Sequence, residues 1–135
     1  MILLDTSALI DTLCGDRNSA PTVRSAVERG ERLLLSTLVL YEWLRGPRTP
    51  EDLEDQEALL PRESTVVFGP AEAARAAELY RSVPGARGRE VDLAIAACAL
   101  CWDAELWTLN VDDFRDIPGL AVRRPSSGHR VPGEA

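Results

Sequence analysis

A short apolar run that ends on an acid, Met1-Ile2-Leu3-Leu4-Asp5-Thr6-Ser7, constrains this chain more than any other stretch. Four consecutive apolar residues are too few for a buried helix and are typical of one fully buried strand. A helical pattern follows at 8–13, so Asp5 is predicted at the carboxyl end of a central strand. Ligands of open parallel sheets bind at that edge, which makes Asp5 a candidate metal ligand. The alternative is that Asp5 and the two hydroxyls after it only cap the helix.

Short apolar runs alternate with helical patterns along the rest of the chain. Further strands are predicted at 33–35, 65–68 and 105–109, followed by a last short segment at 120–122. The helices after the first are predicted to end near residues 28, 45, 60, 81 and 102. Strands that alternate with helices predict a parallel-sheet α/β domain with right-handed crossovers.

The composition indicates a single globular domain. Hydrophobic residues make up 45% of the 135 residues, enough for a packed core. The sequence becomes polar and rich in Pro and Gly from about Arg124, so we expect a domain at 1–123 and a disordered tail at 124–135. No apolar run approaches the length of a membrane span, and no basic region precedes the first apolar run. We therefore expect a soluble, cytoplasmic protein.

Residue types that the chain lacks exclude several kinds of chemistry. All 15 basic residues are arginine, which rules out a P-loop or a Schiff base built on lysine. The only histidine, His129, lies in the polar tail, so a Ser-His-Asp or Cys-His mechanism is not expected. Cys98 and Cys101 form a lone C-x-x-C in an Ala-rich helical run, and we interpret them as buried free cysteines.

Five acids interrupt apolar patterns or lie just past the ends of predicted strands. They are Asp5, Glu42, Asp92, Asp112 and Asp113. Taken singly, Asp92 fits a first-turn helix acid, Glu42 a solvated helix position and Asp113 a turn residue. Taken together, carboxylates that converge without lysine or histidine would repel one another strongly. Divalent cations would reconcile them, and oxygen ligands suit Mg²⁺ or Mn²⁺.

Four segments of the chain resemble PIN-domain ribonucleases, in particular VapC-type toxins of bacterial toxin–antitoxin pairs. The segments are Leu4-Asp5-Thr6-Ser7, Glu42 with Gly46, Asp92-Leu93-Ala94-Ile95-Ala96-Ala97, and Thr108-Leu109-Asn110-Val111-Asp112-Asp113-Phe114 followed by Ile117-Pro118-Gly119-Leu120. A single Asp-Thr-Ser is weak evidence, whereas the ordered set over residues 1–123 is specific. One departure is Arg89-Glu90-Val91 before Asp92, where a more apolar lead-in is expected.

The resemblance implies a metal-dependent endoribonuclease with a PIN-like (Rossmann-like) three-layer α/β/α fold and a short parallel sheet of four to five strands. The acidic constellation of the family, which would be catalytic and would hold Mg²⁺ or Mn²⁺, corresponds to Asp5, Glu42, Asp92 and Asp113. Its supporting polar positions correspond to Thr6 or Ser7 and to Asn110. Asp112 competes with Asp113 for the fourth acid, and the spacing from Asn110 and the adjoining Phe114 favour Asp113.

The resemblance also implies three partners: an RNA substrate, a small antitoxin protein that inserts an arginine or lysine into the acidic site, and a second copy of the chain in a homodimer. The net charge of -7 fits a basic partner. Apolar side chains at 38–60 are expected to be mostly core, with part of them in a docking groove. Arg45, Arg48, Arg87 and Arg89 are candidate phosphate contacts.

Two other functions compete with a nuclease toxin. A catalytically inert PIN-like protein-interaction module would keep the fold and lose one of the acids, and all of them are present. A phosphatase that uses Asp5 as a covalent nucleophile would need a second Asp two positions further on, where this chain has Ser7.

Overall fold

Four parallel strands form the centre of the molecule. The structure is a computed structural model, and it describes residues 1–126. Strands β1 (Ile2–Leu4), β2 (Leu33–Leu34), β3 (Glu105–Trp107) and β4 (Val122–Arg123) lie in the order β2-β1-β3-β4. β1 is an inner strand, and its Leu3 pairs with Leu34 on one side and with Leu106 on the other. All three residues of β1 are buried, as a continuous apolar run in a parallel sheet requires.

Six helices surround this sheet. They are α1 (Thr6–Leu13), α2 (Ala20–Glu28), α3 (Thr37–Arg45), α4 (Pro50–Leu59), α5 (Pro70–Ser82) and α6 (Glu90–Cys101). Local chemistry sets where several of them begin: the Ser36 hydroxyl accepts a hydrogen bond from the Val39 amide at 3.1 Å, and Thr49 and Asp52 form a reciprocal capping box at the start of α4. α6 is buried over Leu93–Ala99, which identifies it as the central helix of the core.

The predicted parallel α/β fold is confirmed, but the strand predicted at 65–68 is wrong. Val66 makes only an isolated parallel bridge with Ser36. Beyond it, the Phe68 amide donates to the Thr37 side chain at 3.1 Å, and the Gly69 amide turns back to the Val67 carbonyl at 2.9 Å. The backbone therefore leaves the sheet edge after one residue, and Val67 is 64% exposed.

One smaller prediction about side chains is partly wrong. Cys98 is a buried free cysteine as expected, whereas Cys101, at the carboxyl end of α6, is exposed. The apolar side chains at 38–60 are mostly core, as expected: Trp43 and Leu60 are buried and Leu38 and Leu59 pack against the core, while Leu44 is 40% exposed.

The end of the chain is only partly described. Arg124 donates to the Leu109 carbonyl at 2.6 Å, and Ser126 is buried. The rest of the predicted tail, 127–135, lies outside the described residues, so the prediction of a domain at 1–123 with a disordered tail stays a prediction. None of the helices within residues 1–126 is both long enough and apolar enough to cross a membrane.

Candidate active site

Asp5 lies directly after β1 and is 6% exposed. It is the residue before α1, yet its side chain makes no capping hydrogen bond to that helix, so the capping alternative is wrong for its carboxylate. Instead, one carboxylate oxygen accepts from the Thr108 hydroxyl at 2.7 Å and from the Ser7 hydroxyl at 3.3 Å. Burial raises the pKa of Asp5 above its usual value, although the hydrogen bonds from Thr108, the Thr6 backbone and Ser7 oppose that shift.

Ser7 and Thr108 join the ends of β1 and β3 into one polar network. Their hydroxyls lie 3.2 Å apart. The Ser7 hydroxyl accepts from the Leu109 amide at 3.0 Å, and the Thr108 hydroxyl accepts from the Asn110 amide at 3.0 Å. Because β1 and β3 are neighbouring parallel strands, the bonds from Thr108 to Asp5 and from the Leu109 amide to Ser7 fix the segment after β3 against the end of β1.

Glu42 enters the site from α3. The Thr6 hydroxyl donates to Glu42 Oε1 at 2.5 Å, and Arg45 Nη2 lies 3.7 Å from Glu42 Oε2. The Glu42 side chain is 23% exposed. Glu42 is therefore a partly buried acid fixed by Thr6 and Arg45, and its interpretation as a freely solvated helix residue is wrong.

Asp92 lies in the first turn of α6 and is the acid on which the other charges act. Its pKa is raised from 3.8 to about 6, first by desolvation and then by the negative charges of Asp5, Asp113 and Glu42. The Arg89 guanidinium partly offsets these effects. The four acids that the resemblance selected, from four separate segments, thus come close enough for their charges to act on one half-buried carboxylate.

The two neighbouring acids after β3 have different surroundings. Both belong to the short 3₁₀ turn Val111–Asp113. Asp112 forms a 2.8 Å ion pair with Arg115, and its side chain is 85% exposed. Asp113 is also exposed, but its charge contributes to the raised pKa of Asp92. These surroundings favour Asp113 over Asp112 as the fourth acid, while Asn110 contributes its carbonyl to the Asp113 amide at 3.0 Å.

The donor set suits a hard divalent cation. Carboxylate oxygens are the ligands that Mg²⁺ and Mn²⁺ prefer. The raised pKa of Asp92 comes first from desolvation and then from the surrounding negative charges, which a cation would offset. As the side chains of residues 1–126 stand, no group of three or more acids, cysteines or histidines closes on a single ion position. In this arrangement Asp5 accepts a hydrogen bond from Thr108, and Glu42 accepts one from Thr6. The chemistry fits an ion, and closing on it requires some of these side chains to turn.

One residue of the site was missed as an individual site residue by the reasoning from sequence. Thr108, which is fully buried, donates to Asp5. The available signal was its place at the end of an apolar strand, beside a Thr-x-Asn pattern.

The arginines predicted to contact phosphate are in different situations. Arg89 is engaged by Asp116, and Arg48 stacks on the Trp43 ring at 4.1 Å while donating to the Trp43 carbonyl at 2.9 Å. Arg45 is 61% exposed beside Glu42, and Arg87 is exposed. Arg45 and Arg87 are therefore the more accessible of the four for a bound polyanion.

Known proteins resemble this chain over almost its whole length. The PIN domain family matches residues 2–120. Ribonuclease VapC19 of Mycobacterium tuberculosis is 33% identical over 127 residues, which cover 89% of this chain and 97% of the relative.

Solved structures agree with this assignment. A toxin–antitoxin complex from Klebsiella pneumoniae contains a chain that is 26% identical, with a TM-score of 0.70 and coverage of 93% of this chain and 98% of that one. VapBC2 from Rickettsia felis, bound to a DNA fragment from its promoter, has a similar fold at 21% identity, with a TM-score of 0.72 and coverage of 92% and 98%. The chain therefore belongs to the PIN-domain family and is a VapC-type member of it.

Proposed function

We propose that this protein is a Mg²⁺- or Mn²⁺-dependent endoribonuclease that hydrolyses RNA phosphodiester bonds, and that it is the toxin of a toxin–antitoxin pair that inhibits translation. The observation that carries the proposal is the convergence of three other acids on the half-buried Asp92, whose pKa is raised to about 6. A carboxyl group whose pKa is strongly raised by burial and by neighbouring acids is characteristic of a functional site. The similarity to a named ribonuclease supports the same reaction class.

In this mechanism Asp5, Glu42, Asp92 and Asp113 would hold the cation. Divalent ions at such sites supply an activated water and offset the charge that develops on the phosphate. The chain's own contribution is to bring the ligands together: Thr108 and Ser7 hold the Asp5 carboxylate at the end of β1, and Thr6 holds Glu42 beside it. Some of these side chains would turn to close on the ion. The sequence contains no lysine and only one histidine, His129, which leaves residues 1–126 without the imidazoles of a histidine-based ribonuclease mechanism.

The partner we propose is a basic antitoxin protein that inserts an arginine or lysine into the acidic site. A cation of the partner would offset the same charges that raise the pKa of Asp92, and the net charge of -7 favours a basic partner. Relatives of known structure occur in toxin–antitoxin complexes. A cavity of about 350 Å³ between α1, α2 and α4, lined in part by Leu13, Val23 and Leu59, is a candidate for the apolar part of the contact.

We propose a homodimer that uses a different apolar surface, formed by α3, α5, α6 and the segment before α5. This surface surrounds a cavity of about 370 Å³ lined by Leu38, Phe68, Tyr80, Val91 and Leu93, among others. Tyr80 is 44% exposed and Val91 is 48% exposed, a cost that a second copy would remove. Light scattering should give twice the chain mass for the wild type and the single chain mass for Tyr80→Glu.

Cleavage of structured and unstructured RNA by the purified protein tests the proposed reaction. We expect cutting with Mg²⁺ or Mn²⁺, none with chelator, and none by Asp92→Asn. The matched control is Asp103→Asn, just beyond the other end of α6, where Asp103 is exposed and has a φ of 52° that Asn adopts readily. The control should cut like the wild type.

Two results would overturn the proposal. Equal cutting by the wild type and Asp92→Asn would identify the activity as a contaminant. A folded wild type that cuts no RNA with either metal would make the inert interaction module the leading function.

A further inference from the structure

Arg89 connects the helix that carries Asp92 to the loop that carries Asp113. Its two terminal nitrogens donate to the two Asp116 carboxylate oxygens at 2.9 and 2.8 Å. Nη2 also donates to the main-chain carbonyl of Asp113 at 2.7 Å. The guanidinium thus forms a bidentate ion pair with Asp116 and one hydrogen bond to the backbone of the loop that carries Asp113.

This contact lies between the two segments that carry Asp92 and Asp113. Arg89 is the residue before α6, three positions before Asp92, and its side chain is 22% exposed. Asp113 and Asp116 lie in the segment that follows β3. A bidentate hydrogen bond to a planar guanidinium fixes orientation as well as distance. The contact therefore sets the distance between the first turn of α6 and the 3₁₀ turn.

Arg89 also acts through its charge, and that effect has the opposite consequence for a cation. Its positive charge lowers the pKa of Asp92 and repels any ion held there. If charge alone mattered, removing Arg89 would tighten metal binding, and a lysine at this position would behave like the wild type. The geometry of three hydrogen bonds gives a different expectation, because lysine has no planar fork.

We propose that Arg89 is a positioning residue that, together with Asp116, fixes the spacing between Asp92 and Asp113 for metal binding. The inference rests on the proposed function of the same site. It assigns a role to the polar lead-in to α6, the feature by which this sequence departs from the pattern of its family. Residues that orient metal ligands typically change metal affinity by about 10- to 100-fold when they are replaced.

The test measures Mn²⁺ affinity directly, by calorimetry or by the resonance signal of free Mn²⁺, on metal-free full-length protein. We expect Arg89→Gln, Arg89→Lys and Asp116→Asn each to weaken Mn²⁺ binding by about tenfold. The double variant that combines Arg89→Gln with Asp116→Asn should be no weaker than either single variant, since one shared contact is lost. RNA cleavage should return toward the wild-type rate at saturating Mn²⁺. Arg75→Gln, which breaks an exposed 3.4 Å pair with Glu78 on α5, is the control and should bind Mn²⁺ like the wild type.

The outcomes separate this inference from the proposed function. A wild type that binds Mn²⁺ and cuts RNA, with Arg89 variants that bind equally or more tightly while remaining folded by circular dichroism, would overturn the positioning role alone. Wild-type affinity in Arg89→Lys with tighter binding in Arg89→Gln would assign Arg89 a charge effect instead. A wild type that neither binds Mn²⁺ nor cuts RNA would refute the proposed function, and this inference with it.

Discussion

Replacing Asp92 with Asn should abolish activity and at the same time stabilise the metal-free protein at neutral pH. The pKa of Asp92 rises from 3.8 to about 6 in the folded protein, and a tenfold change in an acid dissociation constant corresponds to about 1.4 kcal/mol. The ionised carboxylate therefore destabilises the fold by at most about 3 kcal/mol. Solvent screening of a half-buried group reduces this to about 1–2 kcal/mol. For a domain of this size we expect a rise in the melting temperature of about 5 °C.

The pH dependence gives this prediction its sign. Because the pKa of Asp92 is raised, the folded protein binds more protons than the unfolded chain between pH 3.8 and about 6. The free energy of unfolding contributed by this group therefore falls as the pH rises through that window. The advantage of Asp92→Asn should be full at about pH 7.5 and nearly absent at about pH 4, where Asp92 itself is neutral. Thermal melts with chelator at low salt, at both pH values, measure the difference.

A neighbouring acid provides the control for this experiment. Glu90 lies in the same helical turn, but hydrogen bonds from backbone amides, including that of Gly88 at 3.1 Å, lower its pKa. Glu90→Gln should therefore give no stabilisation at neutral pH. Adding Mn²⁺ should stabilise the wild type and leave Asp92→Asn almost unchanged. If Asp92→Asn melts at or below the wild-type temperature in chelator at neutral pH, the desolvated Asp92 carboxylate and its repulsion by the other acids do not destabilise the fold.

The site supports three further predictions. Under single-turnover conditions Asp113→Asn should reduce RNA cleavage at least about 100-fold, which raises the activation barrier by about 2.7 kcal/mol. Asp112→Asn should reduce it less than about threefold, below about 0.7 kcal/mol; the reverse order would make Asp112 the fourth acid. Thr108→Val should lower the free energy of unfolding, measured in urea, by about 1–3 kcal/mol because it removes a donor to a buried carboxylate. The buried hydroxyl of Thr65 has no hydrogen-bond partner within residues 1–126, so Thr65→Val should be neutral or stabilising. In calorimetric titrations Mn²⁺ affinity should fall about tenfold for each pH unit below about 6, since Mn²⁺ must displace a proton from Asp92. An affinity that stays constant from about pH 7 to 5 would contradict the role of Asp92 as a metal ligand.

The sequence predicted the sheet and the acids because both leave local signatures. A short apolar run that ends at an acid, as in β1, has few structural alternatives to a buried strand. Because strands that alternate with helices form a parallel sheet, their carboxyl ends meet at one edge of that sheet. The strand at 65–68 was predicted in error because β-branched residues mark extended backbone. They do not show whether a neighbouring strand is within reach of each amide, and after Val66 it is not.

The contacts that organise the site depend on tertiary neighbours that periodicity does not give. Thr108 reaches Asp5 because β3 lies beside β1, and Thr6 reaches Glu42 because α1 packs on α3. The pair of Arg89 and Asp116 spans 27 positions between a helix start and a loop. In each case the residue types were visible in the sequence, while the partner was fixed only by the packing of elements far apart in the chain.

The inner position of β1 has a consequence for the time at which the protein becomes active during its own synthesis. The carboxylate of Asp5 is held by Thr108, 103 positions later in the chain, and the loop that carries Asp113 follows β3. A ribosome translating this message therefore exposes the first acid long before the segment that completes the site. The nascent chain has no assembled acidic centre until nearly the whole domain has emerged. For the proposed nuclease, RNA cleavage therefore has to await synthesis of the segment after β3.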